Sequence, residues 1–191
     1  MIYDVTKELF EAEVYPGDPI PAIEKVLSLD KAQPDTCQLS KITMGSHSGT
    51  HIDAPAHFYA GAKDVSEIPL EKCIGRCRVV SCNGKVNKEQ ISQWLSDGID
   101  KVLIHGTVVI DPESAAYMAE KKVSCLGVEM STIASGDDQI AVHKILLGAE
   151  IVIIEGLVLE QVPDGIYFLS AVPLKMKGSD GSPVRALGFT L

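Results

Sequence analysis

The chain has 191 residues, with 17 Lys and Arg against 26 Asp and Glu, a formal net charge of −9. A hydrophobic content of 46% excludes a disordered chain, and aromatics at 5% leave aliphatic side chains to fill the core. The acidic balance argues against nucleic acid or an anionic membrane as a partner, and no apolar run approaches the roughly 18 residues of a spanning helix.

Residues 1–11 read as a short strand running into a helical turn. Tyr15-Pro16-Gly17-Asp18-Pro19 is a turn, because the prolines fix φ and the glycine frees it. Residues 36–44 form a strand with Cys37, Leu39, Ile42 and Met44 as apolar positions. Residues 76–82 form another, marked by paired valines. Asn87 then caps a helix, with Gln90 as its capping-box partner and Ile91, Trp94 and Leu95 as the buried stripe. Residues 101–104 and 108–110 make a strand region. Asp111-Pro112-Glu113 opens the next helix, with an N-cap, a proline in the first turn and an acid at the positive dipole end. Residues 123–128 are a strand; Asp137 and Asp138 precede a helix over 139–147, which Gly148 ends. The β-branched segment 149–155 and the segments 166–172 and 184–190 complete the strands. Strands alternate with helices in the middle, and extra strands stand at both ends. The expected fold is therefore α/β, one domain over residues 1–191, with a mixed sheet core and flanking helices. No GxGxxG or GxxxxGK[ST] loop follows a strand.

The odd number of cysteines, five, fits reduced thiols, and Cys73, Cys77 and Cys82 lack CxxC spacing. The opening residues are charged early and carry no secretory apolar segment, so a cytoplasmic location is expected.

Chemistry concentrates in one place. Of the five histidines, His47, His51 and His57 fall within eleven residues, in the run His47-Ser48-Gly49-Thr50-His51-Ile52-Asp53-Ala54-Pro55-Ala56-His57. On an extended segment His51 and Asp53 share a face, and Pro55 and His57 continue that parity. Gly49 permits a sharp bend that returns His47 to the same centre. Imidazoles plus a carboxylate suit a catalytic metal site, and the two oxygens of Asp53 can bridge two ions. A serine nucleophile, Ser46 or Ser48, lacks the GxSxG elbow. Thr50 is expected to hydrogen-bond the local backbone or to orient a ligand. For the remaining residues the pattern leaves both readings open. His143 is either a solvent-facing helix residue or a ligand. Glu155 is either a strand-end acid or a carboxylate that needs a cation, because it closes the apolar run IVIIE. His105 reads as structural, and Arg185 as a partner for a substrate carboxylate or for an acid of the core.

The run HSGTHIDAPAH resembles the HxGTHxDxPxH signature of the cyclase / bacterial kynurenine formamidase family of metal-dependent hydrolases, without departure. The resemblance extends to YPGDP, VHKILLGAEIVIIEGL and SPVRAL, and so covers most of the chain. It implies a swivelling β/α/β-like fold. It implies His47, His51 and Asp53 on one metal, with Asp53 bridging to a second held by His143 and Glu155, twelve residues apart. It makes His57 the proton donor and acceptor. It implies two divalent ions, zinc or manganese, and a homodimer or tetramer. The implied reaction is hydrolysis of a small amide through a metal-activated water, with N-formylkynurenine giving kynurenine and formate. The alternatives are opening of a cyclic amide or lactone such as isatin, and a catalytically inactive metal-binding protein. Kynurenine formamidases resembling this chain usually place a tryptophan before Pro-Gly-Asp, against the substrate ring; here that residue is Tyr15, the candidate substrate contact.

Overall fold

The computed structural model describes residues 1–134 and 136–191. In chain order its strands are β1 (Ile2–Asp4), β2 (Ala22–Leu27), β3 (Leu39–Thr43), β4 (His51–Asp53), β5 (Ile74–Ser81) and β6 (Gly84–Lys85), followed by helix α1 (Lys88–Trp94). Then come β7 (Lys101–His105), β8 (Val108–Val109), α2 (Pro112–Glu120), β9 (Cys125–Val128), α3 (Gln139–Gly148), β10 (Val152–Glu155), β11 (Gly165–Ser170), β12 (Gly181–Pro183) and β13 (Leu187–Thr190).

Local sequence signals account for the helices. The Asn87 side chain accepts from Gln90 N–H while the Gln90 side chain returns the bond to Asn87 N–H, which closes the capping box on α1. Asp111 accepts from Ser114 N–H at the start of α2, with Pro112 in its first turn. A short 3-10 turn at Gly136–Asp138 leads into α3.

The main sheet has nine strands in the order β1-β13-β11-β5-β7-β9-β10-β4-β12. Its centre, β5-β7-β9-β10, is parallel, with α1, α2 and α3 as the crossovers. Antiparallel strands flank this centre on both sides. All three helices cover one face, where Ile91, Trp94, Met118, Val142, Leu146 and Leu147 meet Val102, Ile104, Leu126 and Ile153. The other face closes on itself. β12 pairs at one end of the sheet and β13 at the other, yet only Val184–Ala186 separate them in the chain. The ends must therefore lie side by side, and Val5, Ile52, Val79, Leu103, Ile154 and Leu169 fill the space inside that curl.

Residues 1–11 run from β1 into a hydrogen-bonded turn at residues 9–11, as expected. One expectation changes. Strand β3 does not stand in the sheet but forms an outlying hairpin with β2, whose residues are almost all exposed. Of the cysteines, Cys73, Cys77, Cys82 and Cys125 are buried as thiols and Cys37 is exposed. No helix among the described residues is long and apolar enough to cross a membrane.

Candidate metal centre

Strand register builds the site. β4 runs antiparallel to β10, with Glu155 opposite His51, Ile154 opposite Ile52 and Ile153 opposite Asp53. Side chains alternate across a sheet, so Ile52 and Ile154 enter the curled interior, and His51, Asp53 and Glu155 share the helix-facing side. There α3 lies over the sheet with Val142, His143, Leu146 and Leu147 buried, which turns the His143 imidazole toward Glu155. On the far side of β4, β12 pairs with Gly181 opposite Asp53. Gly49, at φ +64°, makes the left-handed bend that brings His47 back to Asp53.

The resulting distances are short. His47 Nδ1 lies 2.8 Å from Asp53 Oδ1, and His51 Nε2 lies 3.6 Å from the same oxygen and 3.4 Å from Glu155 Oε2. His143 Nε2 lies 3.3 Å from Glu155 Oε1 and 3.9 Å from Asp53 Oδ2. His47, Asp53 and His57 each offer one ligand atom within 4.8 Å of the others, and so do His51, Asp53 and Glu155. Asp53 belongs to both groups. All six residues expected from the sequence come together: the three histidines of the signature, Asp53, His143 and Glu155.

The parity argument fails after Asp53. Pro55–His57 is a 3-10 turn rather than a continuation of the strand, with Pro55 in its first turn. The His57 ring still reaches the cluster, stacking at 4.0 Å between centroids on His47.

The surroundings orient the imidazoles. His51 Nδ1 donates to Gly49 O at 3.0 Å and His143 Nδ1 donates to Gln139 O at 2.7 Å, so both rings present Nε2 to the carboxylates. Backbone anchoring of the outer nitrogen is what fixes the tautomer of a metal-binding histidine. Ile133 N–H donates to Glu155 Oε1 at 2.6 Å. Thr50 Oγ1 donates to Gly156 O at 2.5 Å and accepts from Lys7 N–H, a purely structural brace.

Charge is concentrated and buried here. Burial opposes protonation of His47, but hydrogen bonds and charges from Asp53 and Asp180 outweigh it and raise its pKa to about 9. Burial likewise opposes charging of His51 and His143, and carboxylate partners raise both. Asp53, fully enclosed, is raised by burial but brought down overall by its hydrogen bond to His47 and the charges of the neighbouring imidazoles. Its Oδ2 is buried with no hydrogen-bond partner among the described residues. Leaving a carboxylate oxygen unpaired in the interior is costly, and a divalent cation relieves that cost. Neutral imidazoles and carboxylates match zinc and manganese. The residues thus fit a metal ion.

Asp180 escaped the sequence reading. Its Oδ2 lies 3.0 Å from His47 Nε2 and 3.1 Å from His57 Nδ1, and its Oδ1 accepts from Ser46 Oγ at 2.8 Å. An acid in the polar stretch Ser179-Asp180-Gly181-Ser182 carries no distinguishing pattern; its place two residues before the SPVRAL segment is the one available signal. Gly181 serves a close approach, because a Cβ there would sit 2.5 Å from His47 Cε1.

A cleft of about 160 Å³ opens onto the centre, lined by Tyr15, Asp18, Phe58, Ser131, Thr132 and Gln139 with the histidines and Glu155. Phe58 stacks on His143 at 4.8 Å and meets the His57 ring edge-on at 4.7 Å. The Tyr15 hydroxyl lies 3.3 Å from the Gln139 side-chain amide at the rim. A larger depression of about 490 Å³ lies elsewhere, among Asp4, Lys7, Thr50 and Arg185, and contains none of the clustered imidazoles. Arg185 is exposed and paired with Asp4 at the surface, so it neither binds an acid of the core nor reaches the cleft. His105 Nδ1 donates to Glu129 at 2.7 Å, and Glu129 also accepts from Gly106 and Leu159 N–H, a structural knot.

A family model described as putative cyclase matches residues 3–135. A kynurenine formamidase of Bacillus cytotoxicus is 33% identical, over 93% of this chain and 91% of its own. One of Polaromonas naphthalenivorans is 31% identical, over 97% and 89%. A solved potential metal-dependent hydrolase with cyclase activity superposes with a TM-score of 0.82 at 30% identity, covering 98% of this chain and 96% of that one. Isatin hydrolase A of Labrenzia aggregata gives a TM-score of 0.84 at 25% identity, over 100% and 93%.

Proposed function

This chain belongs to the cyclase family, and from that premise we propose that it is a metal-dependent hydrolase of a small amide, an arylformamidase acting on N-formylkynurenine. The observation that carries the reading is the buried Asp53 carboxylate, shared by two ligand groups and left with one oxygen unpaired. The names of the relatives supply the amide.

In this reading His47, His51 and Asp53 would hold one divalent ion, and Asp53, His143 and Glu155 a second; the two groups within ligand distance share Asp53 but divide the histidines differently, with His57 beside His47 and His51 beside Glu155. Bound divalent ions supply an acidified water and polarisation of the carbonyl. The protein supplies the rest. His51 and His143 are held rigid by backbone acceptors, so binding costs little reorganisation. Phe58 shields the inner wall of the cleft from water. His57, more exposed than the other signature histidines, takes a proton from the attacking water and returns one to the departing amine. Tyr15 at the rim contacts the aryl group of the substrate.

Zinc is the proposed metal, with manganese the alternative for the oxygen-rich side. Free thiols among the described residues and the acidic composition support a cytoplasmic location, and a homodimer or tetramer is the assembly that goes with this reading.

A second reading, opening of a cyclic amide, draws on Tyr15 in place of the usual tryptophan and on the likeness to isatin hydrolase A. The test is turnover of N-formylkynurenine, isatin and simple lactones by metal-replete protein, with a chelator control. Chelator-sensitive hydrolysis of the formamide is expected. Preference for isatin would establish the second reading, and tight metal binding with no turnover across the panel would mean an inactive binding protein.

A further inference from the structure

We propose that Asp180 is a positioning residue that fixes the tautomer and the orientation of the His57 imidazole. The proposal deepens the amide-hydrolase reading and rests on it for its catalytic meaning.

Asp180 is itself held on three sides. Its carbonyl accepts from Ala54 N–H at 2.9 Å, one residue beyond Asp53. The next residue, Gly181, is paired with Asp53 across the β12–β4 ladder and passes against the His47 ring, where no Cβ fits. Its side chain is pinned through Oδ1 by the Ser46 hydroxyl. A carboxylate locked in this way presents Oδ2 in a fixed direction, and that oxygen meets His57 Nδ1 at 3.1 Å. The His57 ring plane is set by two further contacts, the stack on His47 and the edge of Phe58.

A carboxylate oxygen can only accept. A neutral His57 therefore keeps its proton on Nδ1 and its lone pair on Nε2. When Nε2 takes a proton during turnover, the same carboxylate stabilises the imidazolium. An isolated imidazole lacks both biases. The same Oδ2 also lies 3.0 Å from His47 Nε2; what it sets at His57, through Nδ1, is the tautomer.

Asp180→Ala gives the test its sign, because no bias remains on His57. In Asp180→Asn the Ser46 hydroxyl can accept from the amide NH2, which turns the amide oxygen to His47 and His57. That variant keeps the acceptor at Nδ1 and loses only the negative charge that stabilises the imidazolium.

Long-range 1H–15N correlation on histidine-labelled protein, at a pH where His57 is neutral, reads the tautomer without any need for activity. The wild type should show Nδ1–H, Asp180→Asn should keep it, and Asp180→Ala should give a mixture. In metal-replete enzyme both variants should lose about 10- to 1,000-fold in kcat, with KM within about threefold and metal content unchanged. Retention of the Nδ1–H tautomer in Asp180→Ala, or a kcat loss matched by loss of bound metal, would overturn the assignment. If the wild type hydrolyses none of the amides, the functional reading fails, and the tautomer measurement still decides the positioning role.

Discussion

Removing metal from this centre should make its stability fall as pH rises. In the metal-free protein His47 has carboxylates at both ring nitrogens, Asp53 at 2.8 Å and Asp180 at 3.0 Å. It can donate to both only as an imidazolium, which is why its pKa rises against the opposing effect of burial to about 9, from the ordinary imidazole value of 6.5. A group whose folded pKa lies above its unfolded one stabilises the fold fully below the unfolded value. That stabilisation is lost as pH rises through the folded value. The window therefore runs from about 6.5 to about 9. At about 1.4 kcal/mol per pH unit, the ceiling is about 3 kcal/mol. Metal binding runs the other way: a divalent ion must displace that proton, so its affinity should climb by up to about tenfold per pH unit over the same window. Urea unfolding with chelator present, at steps across the window, measures the first effect, and thermal shifts on adding zinc or manganese measure the second. His47→Gln carries no proton to lose and should make the metal-free profile shallower, leaving the part that the raised His51 and His143 contribute. Parallel profiles for wild type and His47→Gln would refute the reasoning, as would metal stabilisation that is independent of pH.

Three further outcomes are expected. His57→Ala should keep its metal content and lose about 100- to 10,000-fold in kcat, read by elemental analysis beside initial rates. Gly181→Ala drives a Cβ to 2.5 Å from the His47 ring, and should cost about 1–3 kcal/mol in urea unfolding and reduce metal occupancy. Tyr15→Phe removes the hydroxyl contact with Gln139 at the exposed rim; Tm should move by less than about 2 °C, while KM for aryl substrates shifts relative to that for simple lactones.

The parts of the molecule written in local patterns were readable from residues alone. Asn87 with Gln90 and Asp111 with Pro112 start helices where capping chemistry demands, and the β-branched run before Glu155 is a central strand. The His51 and Asp53 pairing followed from strand parity, and the return of His47 from Gly49. The missing parts depend on other segments. Strand β2 buries neither face, so no alternation of apolar and polar residues marks it. Pro55 signalled a turn start that the parity argument passed over. His143 and Glu155 are distant from the signature in sequence, and only the β4–β10 register and the packing of α3 bring them to Asp53. Asp180 depends on the β12 edge in the same way.

The central claim is that Asp53 is shared by two divalent ions. Elemental analysis of metal-replete protein, purified without a metal-affinity tag, compared with Asp53→Asn, addresses it directly. Two ions per chain in the wild type and loss of both in the variant are predicted. A variant that keeps the wild-type metal content would contradict the shared carboxylate and the centre built around it.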